Sequence, residues 1–251
     1  MIPTVPQTQR LGRPLELFRL RPTGWDTVPR HERKSPVTQS LDPSPSCALC
    51  PRLVGFRSQM QAENPDWHNA PVPAFGGTDV QFLVVGLAPG MKGANRTGRP
   101  FTGDVAGRLL FSTLIKFGFA KGAYNEDPHD GLELIDTRIT NAVRCLPPDN
   151  KPTGGEVTTC RDFLKAEIFG LKRLRVILAL GGVAHKAVVG ALGHRQASVP
   201  FAHGAVHQIE GFALTDSYHC SQYNVNTGRL TPEMFHGVFA GLRVRLSGPF
   251  S

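Results

Sequence analysis

Val80-Gln81-Phe82-Leu83-Val84-Val85, followed at once by Gly86-Leu87-Ala88-Pro89-Gly90, is the stretch from which the fold is read. The first six residues are mostly apolar without clean alternation, as in a strand buried on both faces. The glycines and proline that follow mark its carboxyl end, where open α/β sheets place their ligand crevice. Three runs of the same kind come later: Ile139-Thr140-Asn141-Ala142-Val143, Arg175-Val176-Ile177-Leu178-Ala179-Leu180 and Phe212-Ala213-Leu214-Thr215. Segments with helical character lie at 105–119, 155–171, 183–192 and 231–246. Strands alternating with helices predict an α/β fold with a small parallel sheet of four strands sandwiched by helices.

The 251 residues suit one substantial domain. A hydrophobic fraction of 40% with 19% charged residues is that of a globular chain able to bury a core. The net charge of +8 attracts polyanions, of which the phosphate backbone is the commonest. No apolar run approaches the ~20 residues of a membrane span, and the start is too polar and proline-rich for a secretory signal. The expectation is a cytoplasmic protein with no membrane association. Residues 1–46 combine Pro, Ser, Thr and Arg, and read as a flexible basic arm whose Leu15-Glu16-Leu17-Phe18 is able to dock on a surface. The composition turns globular from Cys47 onward, giving one domain over 47–251.

Gly86-Leu87-Ala88-Pro89-Gly90 leads through Asn95-Arg96-Thr97-Gly98-Arg99-Pro100-Phe101-Thr102-Gly103-Asp104 into a helix. Glycines bring backbone N–H groups close to a ligand, and a helix start favours anionic groups; an ordinary strand-to-helix turn has the same composition. Neither GxGxxG nor the P-loop pattern is present, which disfavours nucleotide cofactors. Asn141 stands near the end of the second run, and its amide both donates and accepts, as reading a base edge requires. It also fits a plain turn former. After the fourth run come His219, a donor for a developing anion or a packing residue, and Ser221 and Arg229, which suit phosphate contacts.

Cys47 and Cys50 form a C-x2-C pair, and Cys145 and Cys160 complete a set with fourteen residues between the latter two. In a cytoplasmic chain this points to a metal before a disulfide. Four thiolates hold either tetrahedral zinc or an iron–sulfur cubane, and spacing alone leans towards zinc. Cys220 is left over as a buried or loop thiol.

Taken together, Cys-x2-Cys, GLAPG, NRTGRPFTGD, TNAVRCLPPDNKP, Cys160, LALGGVAH and HCSQYN followed by NTGRLT resemble the iron–sulfur uracil-DNA glycosylases, most closely the type-5 branch. The likeness runs from Cys47 to about Val238. It implies a three-layer α/β/α sandwich around a four-stranded parallel sheet, and a structural [4Fe-4S] cluster on Cys47, Cys50, Cys145 and Cys160 in place of zinc. It implies a monofunctional enzyme of base excision repair, a monomer that flips uracil, and also hypoxanthine or xanthine, from double-stranded DNA. A non-catalytic damaged-DNA-binding protein on the same fold is the alternative. By the resemblance, Phe101 stacks on the flipped base, Asn141 reads its edge, His219 donates to the base carbonyl and Asn224 closes the last motif. Leu87 stands where other branches carry a water-handling polar residue, which leaves Asp104 to activate the water. Cys220 stands where relatives usually carry Pro. Gly86, Ala88, Pro89, Gly90, Ser221 and Arg229 complete the expected base and DNA contacts.

Overall fold

The computed structural model describes residues 41–248, so most of the expected arm, including its 15–18 docking stretch, lies outside the described residues. In chain order the elements are α1 (Pro51–Glu63), β1 (Phe82–Gly86), α2 (Ala94–Thr97), α3 (Val105–Lys116), β2 (Ala120–Lys121), β3 (Glu133–Leu134), β4 (Thr137–Asn141), α4 (Gly154–Gly170), β5 (Val176–Leu180), α5 (Gly182–Ala191), β6 (Val206–Ile209), β7 (Phe212–Ser217), α6 (Gln222–Asn226) and α7 (Pro232–Ser247). The helices start where local chemistry satisfies their free N–H groups. Asp104 caps α3, Thr153 and Glu156 form a capping box on α4, and Thr231 caps α7 ahead of Pro232.

The main sheet has the order β4-β1-β5-β7-β6. The first four strands are parallel, and every residue of β1, β4, β5 and β7 is buried. The expected four-stranded parallel sheet is therefore present, with one addition. β6 runs antiparallel beside β7, joined to it through Glu210 and Gly211, both at positive φ as a tight hairpin turn requires.

Alternate side chains of each strand feed two separate cores, which makes the three layers. Leu83, Val85, Ile177, Ala179 and Leu214 pack with Leu164 of α4, Val188 of α5 and Leu53 of α1. Phe82, Val84, Ile139 and Leu178 pack on the other face with Leu110 and Phe111 of α3 and Phe235 and Phe239 of α7. Because the four strands share one direction, Gly86, Asn141, Leu180 and Ser217 lie at the same edge of the sheet. That edge carries the candidate site.

Buried charge includes a closed network beneath the sheet. Glu167 accepts from Arg138 and from Arg144, and Asp42 joins both arginines from the other end. Asp42 also accepts from the Ala74 amide at 2.9 Å, so this part of the segment read as arm is fixed to the domain. Removing one partner from such a set costs about 3–5 kcal/mol, because the charges left behind are buried and uncompensated.

Candidate active site at the carboxyl edge of the sheet

Gly86 and Asn141 are register partners at the ends of β1 and β4. A Cβ on Gly86 would overlap Oδ1 of Asn141 and come within 2.6 Å of the Phe101 ring. Glycine is required there because an amide and an aromatic face close on the backbone from two sides. Asn141 is 3% exposed.

Phe101 sits at φ 57, a conformation that a non-glycine residue adopts only when its surroundings enforce it. The surroundings are specific. The carbonyl of Phe101 accepts from the Tyr124 hydroxyl at 3.0 Å and lies where any side chain at Gly107 would have to go. Two residues before it, Arg99 makes a bidentate pair with buried Asp130 at 2.8 Å and lies over the rings of Phe75 and Phe111. Asn95 is hydrogen-bonded to Asn69, which in turn donates to the Met60 and Asn64 carbonyls at the end of α1. The loop from Asn95 to Asp104 is thus held along its length.

His219 stacks against Phe101, with ring centroids 6.0 Å apart and planes at 27°. Its ring forms no hydrogen bond with the described residues, and burial alone lowers its pKa to about 4. At neutral pH it is an uncharged imidazole, free to donate one N–H. Its backbone carbonyl accepts from the Asn224 amide at 2.8 Å, and Ser221 caps α6 through the Asn224 N–H. Asn224 and Ser221 therefore shape the turn that presents His219. His219 and Leu87 also border a recess of about 220 Å³, walled by Gly181, Val183, Phe201 and Arg229. The Arg229 guanidinium lies 4.8 Å from the centre of the Tyr218 ring.

Asp104 uses one oxygen to accept from the Gly107 amide at 3.2 Å. The other, Oδ2, faces the turn of Gly90 and Gly93, where a Cβ on Gly90 would stand 3.1 Å away. Burial raises the Asp104 pKa, opposed by the Gly107 and Ala106 amides. One oxygen of the aspartate is thus turned towards the glycine loop. Pro89 is buried, while Leu87 and Ala88 are half-buried, and Ala88 packs on the core beneath.

A family model described as the uracil DNA glycosylase superfamily matches residues 73–243. The chain belongs to the uracil-DNA glycosylase superfamily. It is 42% identical over 210 residues to the type-5 uracil-DNA glycosylase of Thermus thermophilus, covering 81% of this chain and 94% of that protein. It is 43% identical over 192 residues to the type-5 enzyme of Pyrobaculum aerophilum, covering 75% and 84%, and 42% identical over 203 residues to that of Mycobacterium leprae, covering 77% and 88%.

In this superfamily member the four cysteines read as a set, Cys47, Cys50, Cys145 and Cys160, line one cavity. Arg57 bridges them, with one Nη 3.9 Å from the Cys145 sulfur and the other donating to the Cys47 carbonyl at 3.0 Å. Burial pushes the Cys145 thiol up to about 12 and raises those of Cys50 and Cys160 as well. Among the described residues, three ligand atoms come within 4.8 Å of one another only at His185, His207 and Asp216. Cys220 is buried, with Asp104 close enough to raise its pKa further after burial has done so.

Residues not singled out from the sequence complete this glycosylase-superfamily site. Tyr124 and the Arg99–Asp130 pair fix Phe101; Arg99 lies within the NRTGRPFTGD motif, but nothing local marks Tyr124 or Asp130. Tyr223 is 72% exposed on α6, between His219 and Arg229; an aromatic in the HCSQYN motif was the available signal. No helix among the described residues is long and apolar enough to cross a membrane.

Proposed function

We propose that this chain is a monofunctional DNA glycosylase that hydrolyses the bond between uracil and deoxyribose in DNA, leaving an abasic site in base excision repair. The observation that carries this reading is the closure of Asn141 and Phe101 on Gly86 with the uncharged His219 stacked beside them. The type-5 uracil-DNA glycosylases among its relatives support it. An extruded base meets a ring face at Phe101 and a donor–acceptor pair at Asn141, the elements with which enzymes read flipped bases. Cleavage leaves negative charge on the base oxygen, and a preorganised neutral donor from His219 stabilises it in a dry site. The outer oxygen of Asp104 orients and deprotonates the attacking water. The exposed ring of Tyr223 and the Arg229 guanidinium face the duplex, and the net charge of +8 draws the phosphate backbone. The enzyme acts as a cytoplasmic monomer on double-stranded DNA.

Cys47, Cys50, Cys145 and Cys160 are assigned to a [4Fe-4S] cluster. Four thiols around one cavity are the donor set such a cluster takes and fit it. The cluster supplies a covalent staple between the chain before α1 and the segment after β4; base hydrolysis moves no electrons and takes no step through it.

The test is single-turnover incubation with duplex DNA carrying one uracil, read by alkaline strand cleavage. Product is expected with wild type; tight binding to the damaged duplex without product would favour a damage-binding protein instead. Leu87 places an apolar side chain beside His219 where other branches use a polar one, so the same panel is expected to show excision of hypoxanthine and xanthine. Strict uracil preference would contradict that extension. Gly86→Ala forces Asn141 and Phe101 apart, and misplacement by about 1 Å is worth ~100-fold in rate. That loss is expected with unchanged far-UV circular dichroism, and a wild-type rate would show that Asn141 and Phe101 need not converge there.

A further inference from the structure

Beneath the turn that presents His219 lies a second polar cluster, buried and outside the proposed chemistry. Asp216 is 0% exposed in β7, three residues before His219, and its Oδ1 is 2.7 Å from Nδ1 of His185 in the first turns of α5. Nε2 of the same ring is 2.8 Å from the carbonyl of Val199. Both ring nitrogens therefore face acceptors, and a neutral imidazole, with one N–H, leaves a lone pair against one of them. With a carboxylate at Asp216, only the imidazolium satisfies both.

The cluster also does not suit a metal ion. Two ligands on one zinc at about 2.0–2.2 Å stand roughly 3.3 Å apart, so a separation of 2.7 Å is a hydrogen bond. The elements it joins all border His219. Phe201 packs edge-on to the His185 ring at 5.6 Å and walls the recess, as do Gly181 and Gly182 at the start of the helix that carries His185. The Ala202 amide points to Asp216 Oδ2 at 3.4 Å. His203 accepts from the Tyr218 amide at 3.1 Å and stacks on the Tyr218 ring at 4.9 Å.

We propose that His185 and Asp216 are positioning residues for His219: the imidazolium of His185, held between Asp216 and Val199, locks the 199–205 segment, the start of α5 and the end of β7 into one unit supporting the His219 turn. The proposal rests on His219 acting on the base. The groups facing His185 are Asp216 from β7, His207 from β6 and Lys186 from its own helix. Burial pulls the His185 pKa down, but the Asp216 hydrogen bond, the Val199 carbonyl and the Asp216 charge together hold it above the ordinary value. A proton bound more tightly in the folded state stabilises fully below the unfolded pKa, and that contribution is lost as pH rises through the folded one. The alkaline side is informative because His219 is already neutral there.

The experiment follows histidine side-chain NMR signals of the full chain from pH 5 to 10, beside single-turnover uracil excision. His185 is expected to keep its proton above about 6.5, the ordinary histidine value. The His219 signal and the excision rate should both change over the window in which His185 titrates, with DNA affinity unaltered. Asp216→Asn removes the partner charge and should shift all three responses down by about 1–3 pH units. A His219 signal and rate that stay flat while His185 titrates would overturn the proposal, and the wild-type data alone suffice for that if Asp216→Asn does not fold. Absence of product at every pH, with the His219 signal still following His185, would instead overturn the functional reading and keep the positioning unit.

Discussion

Asp104→Asn is expected to lower single-turnover uracil excision by about 10²–10⁴-fold, the range that general base catalysis supplies, with a melting temperature no lower than wild type. The two halves of that expectation have separate causes. Asn caps a helix as well as Asp does, and the oxygen that accepts from Gly107 is retained in the variant, so α3 keeps its start. What disappears is the basicity of the other oxygen, the one that faces Gly90 and Gly93. Burial raises the Asp104 pKa, so the folded protein holds this proton more tightly than the unfolded chain does. Stability is then lost as pH rises through the folded value, because the ionised side chain opposes folding. A neutral replacement removes that opposition, as is common where activity and stability conflict. The pH profile gives a second reading: wild-type activity should fall on the acid side as Asp104 takes up its proton, and that limb should vanish in the variant. An Asp104→Asn protein with a wild-type rate, or with the acid limb intact, removes Asp104 from the reaction.

The parts of the structure legible in the sequence are those where burial is uniform. β5 is readable almost to the residue because both its faces are covered, which leaves no polar position to blur the run. β4 begins two residues before the run that announces it, since Arg138 looks unsuited to a buried strand. Arg138 is tolerated there because Glu167, distant in sequence, balances its charge. β6 is an edge strand whose centre is His207-Gln208, and α1 buries little beyond Leu53 and Met60, so neither carries a periodic signal. Gly86, Asn141 and His219 are legible because strand ends are where the topology puts ligands. The supports are not. Arg99 and Asp130 are 31 positions apart, His185 and Asp216 likewise 31, and a pair that exists only through folding leaves no local trace. Asn224 shows the converse: its place in a motif is readable, but only the structure shows its amide holding the His219 carbonyl.

Cys145→Ala is expected to abolish the broad absorption near 400 nm of an iron–sulfur cluster, roughly where thiolate-to-iron charge transfer falls, and to lower the melting temperature by about 10–20 °C. A cluster on these thiols would join Cys47 and Cys50, just ahead of α1, to Cys145 and Cys160, and so close a loop of roughly 100 residues. A covalent link over that length constrains the unfolded chain by about 4–5 kcal/mol, and each kcal/mol moves the midpoint of a domain this size by about 2–4 °C. The effect should reach the site as well, because Cys145 lies four residues after Asn141 and the intervening Ala142 and Val143 amides bond to the Gly86 and Leu87 carbonyls. Loosening that segment would free the amide proposed to read the base before it unfolds the domain, so excision should fall at temperatures where circular dichroism is still native. Cys220→Ala is the matching control: its thiol is buried beside Asp104 and outside the set, so colour and melting should persist. A colourless wild type carrying one zinc per chain, or a Cys145→Ala protein that melts with wild type, would remove the cluster and with it the staple that holds Asn141 in place.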